Sequence, residues 1–160
     1  MDPALRKTGY AVLEVKEREP VALHFGTHSN PLKMTQAGCL AANADCMLAL
    51  LREWKPQVCA VESVIYVQSY RTAITLGAAR GSALVPIAQA GLPIHQYPPK
   101  RVKQAIVGRG AATKEQVAFM VRARLGLTTT PDHDAADALA IALAHSQAVS
   151  SPAGQLGELL

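Results

Sequence analysis

Residues 58–63, VCAVES, decide the fold class. Val58 to Val61 make a short apolar run, β-branched at both ends, of the kind found in a strand buried on both faces. Glu62 ends that run, where a carboxylate meets the loop that follows. Upstream, TGYAVLEV and VALHFGTH alternate as strands do and flank the charged turn KEREP, which predicts an antiparallel hairpin. Between hairpin and buried strand, Met34, Leu40, Met47, Leu48 and Leu51 recur at helical spacing until Pro56. Downstream come a long small-residue helix over 69–90, which Pro86 is expected to kink or shorten, and a short strand over 93–97. A basic helix, the GRGAAT break, a helix over 114–125, a TTTP break and a final helix complete the chain. The predicted order is β-β-α-β-α-β-α-α-α, an α/β fold.

At 160 residues the chain reads as one domain over residues 1–148, and the polar Gly/Pro-bearing tail over 149–160 is expected to be disordered. Its 49% hydrophobic content suits a globular protein with a real core. Cys39, Cys46 and Cys59 show neither C-x-x-C nor Cys/His spacing, so they read as buried thiols rather than a disulfide or zinc framework. No signal peptide opens the chain and no apolar run spans a bilayer, which predicts no membrane association and a cytoplasmic location.

Four carboxylates carry the chemistry. Asp134 and Asp137, three apart, share a helix face in the first turns of DAADALAIALAH. Capping accounts for Asp132 or Asp134 but not for Asp137, which abuts an apolar face where an unpaired charge is costly. Glu62 is open to a solvent-facing reading, and Asp2 before Pro3 to a simple turn. Taken jointly, Asp2, Glu62, Asp134 and Asp137 point to two Mg²⁺ ions, or Mn²⁺ in their place, held by oxygen ligands about 3.5 to 4 Å apart for phosphodiester hydrolysis. His133 is a second choice of ligand beside Asp134.

The excess of 16 Lys and Arg over 12 Asp and Glu is modest, giving a net charge of +4. It is clustered, however. KRVKQAIVGRGAATK places Lys100, Arg101, Lys103, Arg109 and Lys114 together without an acid, and Arg71 and Arg80 lie on the long helix. A solvated helix face explains such a run, and so does a nucleic-acid contact. Lys103 and Lys114 suit neutralising phosphate or steadying an attacking water. Tyr66 and Tyr70 are candidates to stack on an unpaired base, or half-buried packing residues.

Across DPALRKTGYAV, AVESVIYVQSYRTAITLGAARG, PPKRVKQAIVGRGAATKEQV and DAADALAIALAH the chain resembles the RuvC family of bacterial Holliday junction resolvases, to about His145. The resemblance implies a ribonuclease H-like fold, with a mixed central sheet flanked by helices. It also implies a homodimer, Mg²⁺ dependence, symmetrical nicking of opposed strands in a four-way DNA junction, and RuvA and RuvB as partners. By matching position, Asp2, Glu62, Asp134 and Asp137 are the implied metal ligands, and Lys103 and Lys114 the implied active-site lysines. The helix containing ITLGAARGSALVPIA matches the family's dimer region. There Gly77 and Gly81 would admit a second backbone, or serve packing within the chain.

The family's first strand is absent. Met1 stands where the family commonly has Ile and Ala4 replaces Gly, so the true start is expected upstream, with Asp2 on a mobile terminus in the chain as given. Ile65 occupies the position of a frequent family aromatic, leaving Tyr66 as its substitute. Two other readings stay open: a junction-binding protein without catalysis, and a nuclease acting on RNA or RNA–DNA hybrids.

Overall fold

The computed structural model describes residues 1–17, 19–64, 69–151 and 154–160. Strands β1 (Lys7–Lys16) and β2 (Glu19–Ser29) pair antiparallel, with an irregularity between Val12 and Leu13. Helix α1 (Gln36–Trp54) starts at Thr35, whose hydroxyl accepts from Gly38 N, and ends where Lys55 turns left-handed before Pro56. Strand β3 (Cys59–Glu62) follows, then α2 (Tyr70–Gln89) and β4 (Ile94–Tyr97). Three further helices are α3 (Pro99–Val107), α4 (Lys114–Arg124) and α5 (His133–Ser150), and β5 (Glu158–Leu159) closes the chain. The predicted element order holds, with β5 added.

One expectation for α2 needs correction. Pro86 does not shorten α2, which runs on to Gln89 with Pro86 buried. So close to the C-terminal end, the missing N–H removes one helical bond and the last turn still closes through Ala90 N on Pro86 O at 3.1 Å. Glu158 and Leu159 pair antiparallel with Gln96 and His95, and Leu160 N donates to Ile94 O at 2.9 Å. Gly157 makes this approach possible, since a Cβ there would lie 2.8 Å from the Tyr97 ring.

Strand β4 pairs parallel with β3 and antiparallel with β5, so this three-stranded sheet is mixed. The β1–β2 hairpin joins it through two residues. Asp2 and Gly9 exchange backbone hydrogen bonds of 2.9 and 3.0 Å, while the Met1 ammonium donates to Ala60 O at 2.7 Å and the Met1 carbonyl accepts from Glu62 N at 3.3 Å. Asp2 is therefore held between β1 and β3, which corrects the expectation that it lies on a mobile terminus.

Helices cover both sides. On one, α5 packs with α3 and α4, and Leu139, Ile141 and Leu143 are fully buried beside Tyr97, Ile106 and Val121. Each such aliphatic contributes about 1.5 to 3 kcal/mol by leaving water. On the other, Met1, Met47, Val61, Ala83, Ile87 and Ile94 form a second cluster from α1, α2 and the strands. The three cysteines are free, Cys39 buried and the others half-buried.

Candidate active site

The site forms where β3, the Met1–Asp2 segment and the start of α5 meet. Gly9 governs that meeting. It pairs with Asp2, and a Cβ on it would collide with the Asp134 carbonyl, so only glycine lets the first turn of α5 lie directly on β1. Asp132, not Asp134, caps α5, its carboxylate accepting from Ala135 N at 2.9 Å and from the Thr27 hydroxyl at 2.7 Å. Capping is thus satisfied without Asp134 or Asp137, which are half-buried on the inward side. His133 is exposed at the first helical position.

Electrostatics tie the carboxylates together. Burial raises the Glu62 pKa from 4.5 to about 7, helped by the negative charges of Asp2 and Asp137 and opposed by Lys114. Asp2 is likewise raised, first by burial and next by Asp137. Lys114 Nζ lies 3.2 Å from Asp137 Oδ2, and that carboxylate holds the ammonium pKa above its usual value. A cavity of about 300 Å³ opens beside them, lined by Asp2, Glu62, Ser63, Arg80 and Pro99 among others.

Among the described residues, no three Asp, Glu, His or Cys side chains are grouped tightly enough to hold an ion as they stand. The donor set nevertheless fits a hard divalent cation. It consists of carboxylate oxygens, partly desolvated and mutually repelling, with one lysine as the counter-charge on Asp137. Such excess negative charge is what a divalent ion relieves.

The remaining site candidates divide by what they touch. Lys100 and Arg109 are exposed and Lys103 half-buried on or just after α3, and among the described residues none of them pairs with a carboxylate. Lys114 begins α4 within a capping box formed by Thr113 and Gln116. Tyr70 is 91% exposed and Arg71 is exposed, both in the first turn of α2. Tyr66 lies outside the described residues. Arg101 covers the Tyr97 ring at 5.2 Å and donates to Leu156 O at 3.2 Å. Arg80 turns inward, donating to the Glu62 backbone carbonyl and to Gln96 Oε1. Sequence reasoning did not single out Gly9 or Gln96. The Thr-Gly step after a carboxylate was the available signal for the first; a lone strand glutamine offers none.

On α2, Tyr70, Ile74, Gly77, Gly81 and Val85 follow helical spacing along one face, with Ile74 and Val85 70% and 53% exposed. Among the described residues nothing stands within 4 Å of where a Cβ on Gly77 or Gly81 would lie, so no described side chain packs against either glycine.

A family model described as crossover junction endodeoxyribonuclease RuvC matches residues 1–145. The chain is 54% identical over 145 residues to a protein of that name from Akkermansia muciniphila, covering 91% of this chain and 87% of the relative. It is 44% identical to another from Halorhodospira halophila, covering 95% and 90%. A solved structure titled T. thermophilus RuvC in complex with Holliday junction substrate superposes with a TM-score of 0.88 at 34% identity, covering 99% of this chain and 96% of that one. The architecture is thereby ribonuclease H-like.

Proposed function

The chain belongs to the RuvC family, and from that premise we propose that it is a metal-dependent endonuclease that resolves Holliday junctions by nicking opposed DNA strands. The observation that carries this reading is the convergence of Glu62, Asp2 and Asp137, two of them with raised pKa, beside a basic surface. Asp2, Glu62, Asp134 and Asp137 would hold two Mg²⁺ ions, or Mn²⁺ in their place. When bound, such ions supply an activated water and neutralise charge on the leaving oxygen.

The chain's own groups prepare the ground. Backbone bonds at Asp2 and Glu62 fix two ligands across adjacent strand ends. Helix α5 presents Asp134 and Asp137 from its first turns, brought close by Gly9. Lys114, exposed and paired with Asp137, sets a positive charge where a phosphate would arrive. Lys100, Lys103, Arg109, Arg71 and Tyr70 extend that surface to the DNA arms, with phosphate contacts positioning the junction.

A homodimer suits a substrate with near two-fold symmetry, and the exposed small and apolar stripe of α2 supports that helix as the contact. RuvA and RuvB are the proposed partners and the cytoplasm the proposed location. Among the described residues no helix is long and apolar enough to cross a membrane.

The testing experiment compares a labelled four-way junction with linear duplex and RNA–DNA hybrid in Mg²⁺. Paired, symmetrically placed cuts on the junction alone are expected. Cleavage of the hybrid in preference to the junction, or tight junction binding without cuts, would replace this reading.

A further inference from the structure

The backbone carbonyl of Glu62 loses its ladder partner through the sequence itself. Met1 lies along β3 in the parallel pattern, its terminal ammonium donating to Ala60 O and its carbonyl accepting from Glu62 N. The next donor in such a ladder comes two residues on, from the N–H of residue 3, which would meet Glu62 O. Residue 3 is Pro3, which has no N–H. A carbonyl at this half-buried strand end, left without a donor, is costly.

Arg80 of α2 fills the vacancy, its guanidinium donating to Glu62 O. The other terminal nitrogen donates to Gln96 Oε1 at 3.0 Å. Gln96 sits beside Val61 in the parallel register, and its amide nitrogen donates to Glu158 Oε2 at 2.7 Å from the opposing residue of β5. A continuous hydrogen-bonded chain thus runs from the C-terminal strand, across β4, to the end of β3 that bears Glu62. Arg80 also lines the cavity shared by Asp2 and Glu62, where an arginine would ordinarily be assigned to phosphate. Its planar fork is already engaged at both terminal nitrogens by protein oxygens.

We infer that Arg80 and Gln96 are positioning residues, which splint the backbone at Glu62 and so fix its carboxylate relative to Asp2, with Glu158 as the outer anchor. The inference rests on Glu62 being a metal ligand of the proposed nuclease. It separates Arg80 from the exposed basic residues that meet DNA.

The test measures Mn²⁺ affinity by calorimetry, single-turnover junction nicking across a Mn²⁺ titration, and junction affinity in Ca²⁺ at several salt concentrations. Arg80→Met, Arg80→Lys and Gln96→Leu are compared with the parent chain, each checked by thermal melting. Arg80→Met is expected to weaken Mn²⁺ binding by about 10-fold to 100-fold, the range for groups that orient metal ligands. Excess Mn²⁺ should recover much of the nicking rate, and junction affinity and its salt slope should stay at the parent values. Arg80→Lys, which keeps one donor for the carbonyl, should recover part of the loss, and Gln96→Leu should shift Mn²⁺ affinity in the same direction by less. Unchanged Mn²⁺ affinity in Arg80→Met and Gln96→Leu, with weaker junction binding and a salt slope reduced by about 0.9 in the arginine variant, would overturn the inference in favour of a phosphate contact. Failure of the parent chain to nick in any metal would refute the proposed function instead, and the Mn²⁺ titrations would still decide this point.

Discussion

Replacing Glu62 by glutamine should stabilise the metal-free protein at pH 8 while removing its nicking activity. Ionised Glu62 is poorly hydrated and faces like charge from Asp2 and Asp137, which lifts its pKa from 4.5 to about 7. Between those values the folded chain binds more protons than the unfolded one, so stability falls as pH rises through the interval. At about 1.4 kcal/mol per pH unit the whole interval corresponds to about 3 kcal/mol. Solvent access to a half-buried carboxylate reduces this to about 1 to 2 kcal/mol. Glutamine keeps the shape and carries no charge, so the penalty vanishes at pH 8 and was never present at pH 4. In a chain of this size 1 kcal/mol moves Tm by about 2 to 4 °C. Thermal melts in EDTA should therefore place Glu62→Gln about 2 to 8 °C above the parent at pH 8 and level with it at pH 4. Saturating Mn²⁺ should narrow or reverse the gap by stabilising the parent more. A variant less stable than the parent at pH 8, or a gap independent of pH, would refute the reasoning.

Gly9→Ala should force α5 away from β1 because its Cβ collides with the Asp134 carbonyl; the expected cost is about 1 to 3 kcal/mol in chemical denaturation, with weaker Mn²⁺ binding. Lys100→Ala and Arg109→Ala, both exposed and without carboxylate partners among the described residues, should each lower the salt slope of junction binding by about 0.9 and leave Mn²⁺ affinity unchanged.

Much of the fold was legible because its elements repeat a pattern long enough to read. The alternation of β1 and β2 and the helical spacing of α1 each point to one structure, and the apolar run of β3 reads as a strand through its shortness and β-branched ends. β5 was not legible. Two residues carry no periodicity, and their pairing depends on Gly157 fitting against Tyr97 and on Glu158 reaching Gln96.

The candidate site divides along the same line. Glu62 and the Asp134–Asp137 pair stood out because a carboxylate beside an apolar run needs a reason. The anchoring of Asp2 did not, because its partners are Gly9 and, through Met1, residues 60 and 62. Charge counting grouped Arg80 with the basic surface, yet its hydrogen bonds go to Glu62 O and Gln96. A missing donor at Pro3 is visible in sequence only once the strand it would have paired with is known.

The central claim, that these carboxylates form the metal centre of a junction-resolving nuclease, is tested most directly by single-turnover nicking of an end-labelled four-way junction. The parent chain and Glu62→Gln are compared in Mg²⁺ and in Ca²⁺. Paired cuts by the parent in Mg²⁺, absent in Ca²⁺ and in the variant while junction binding persists, are the predicted result. Equal cutting by the variant, or binding by the parent without cuts in Mg²⁺, would contradict it.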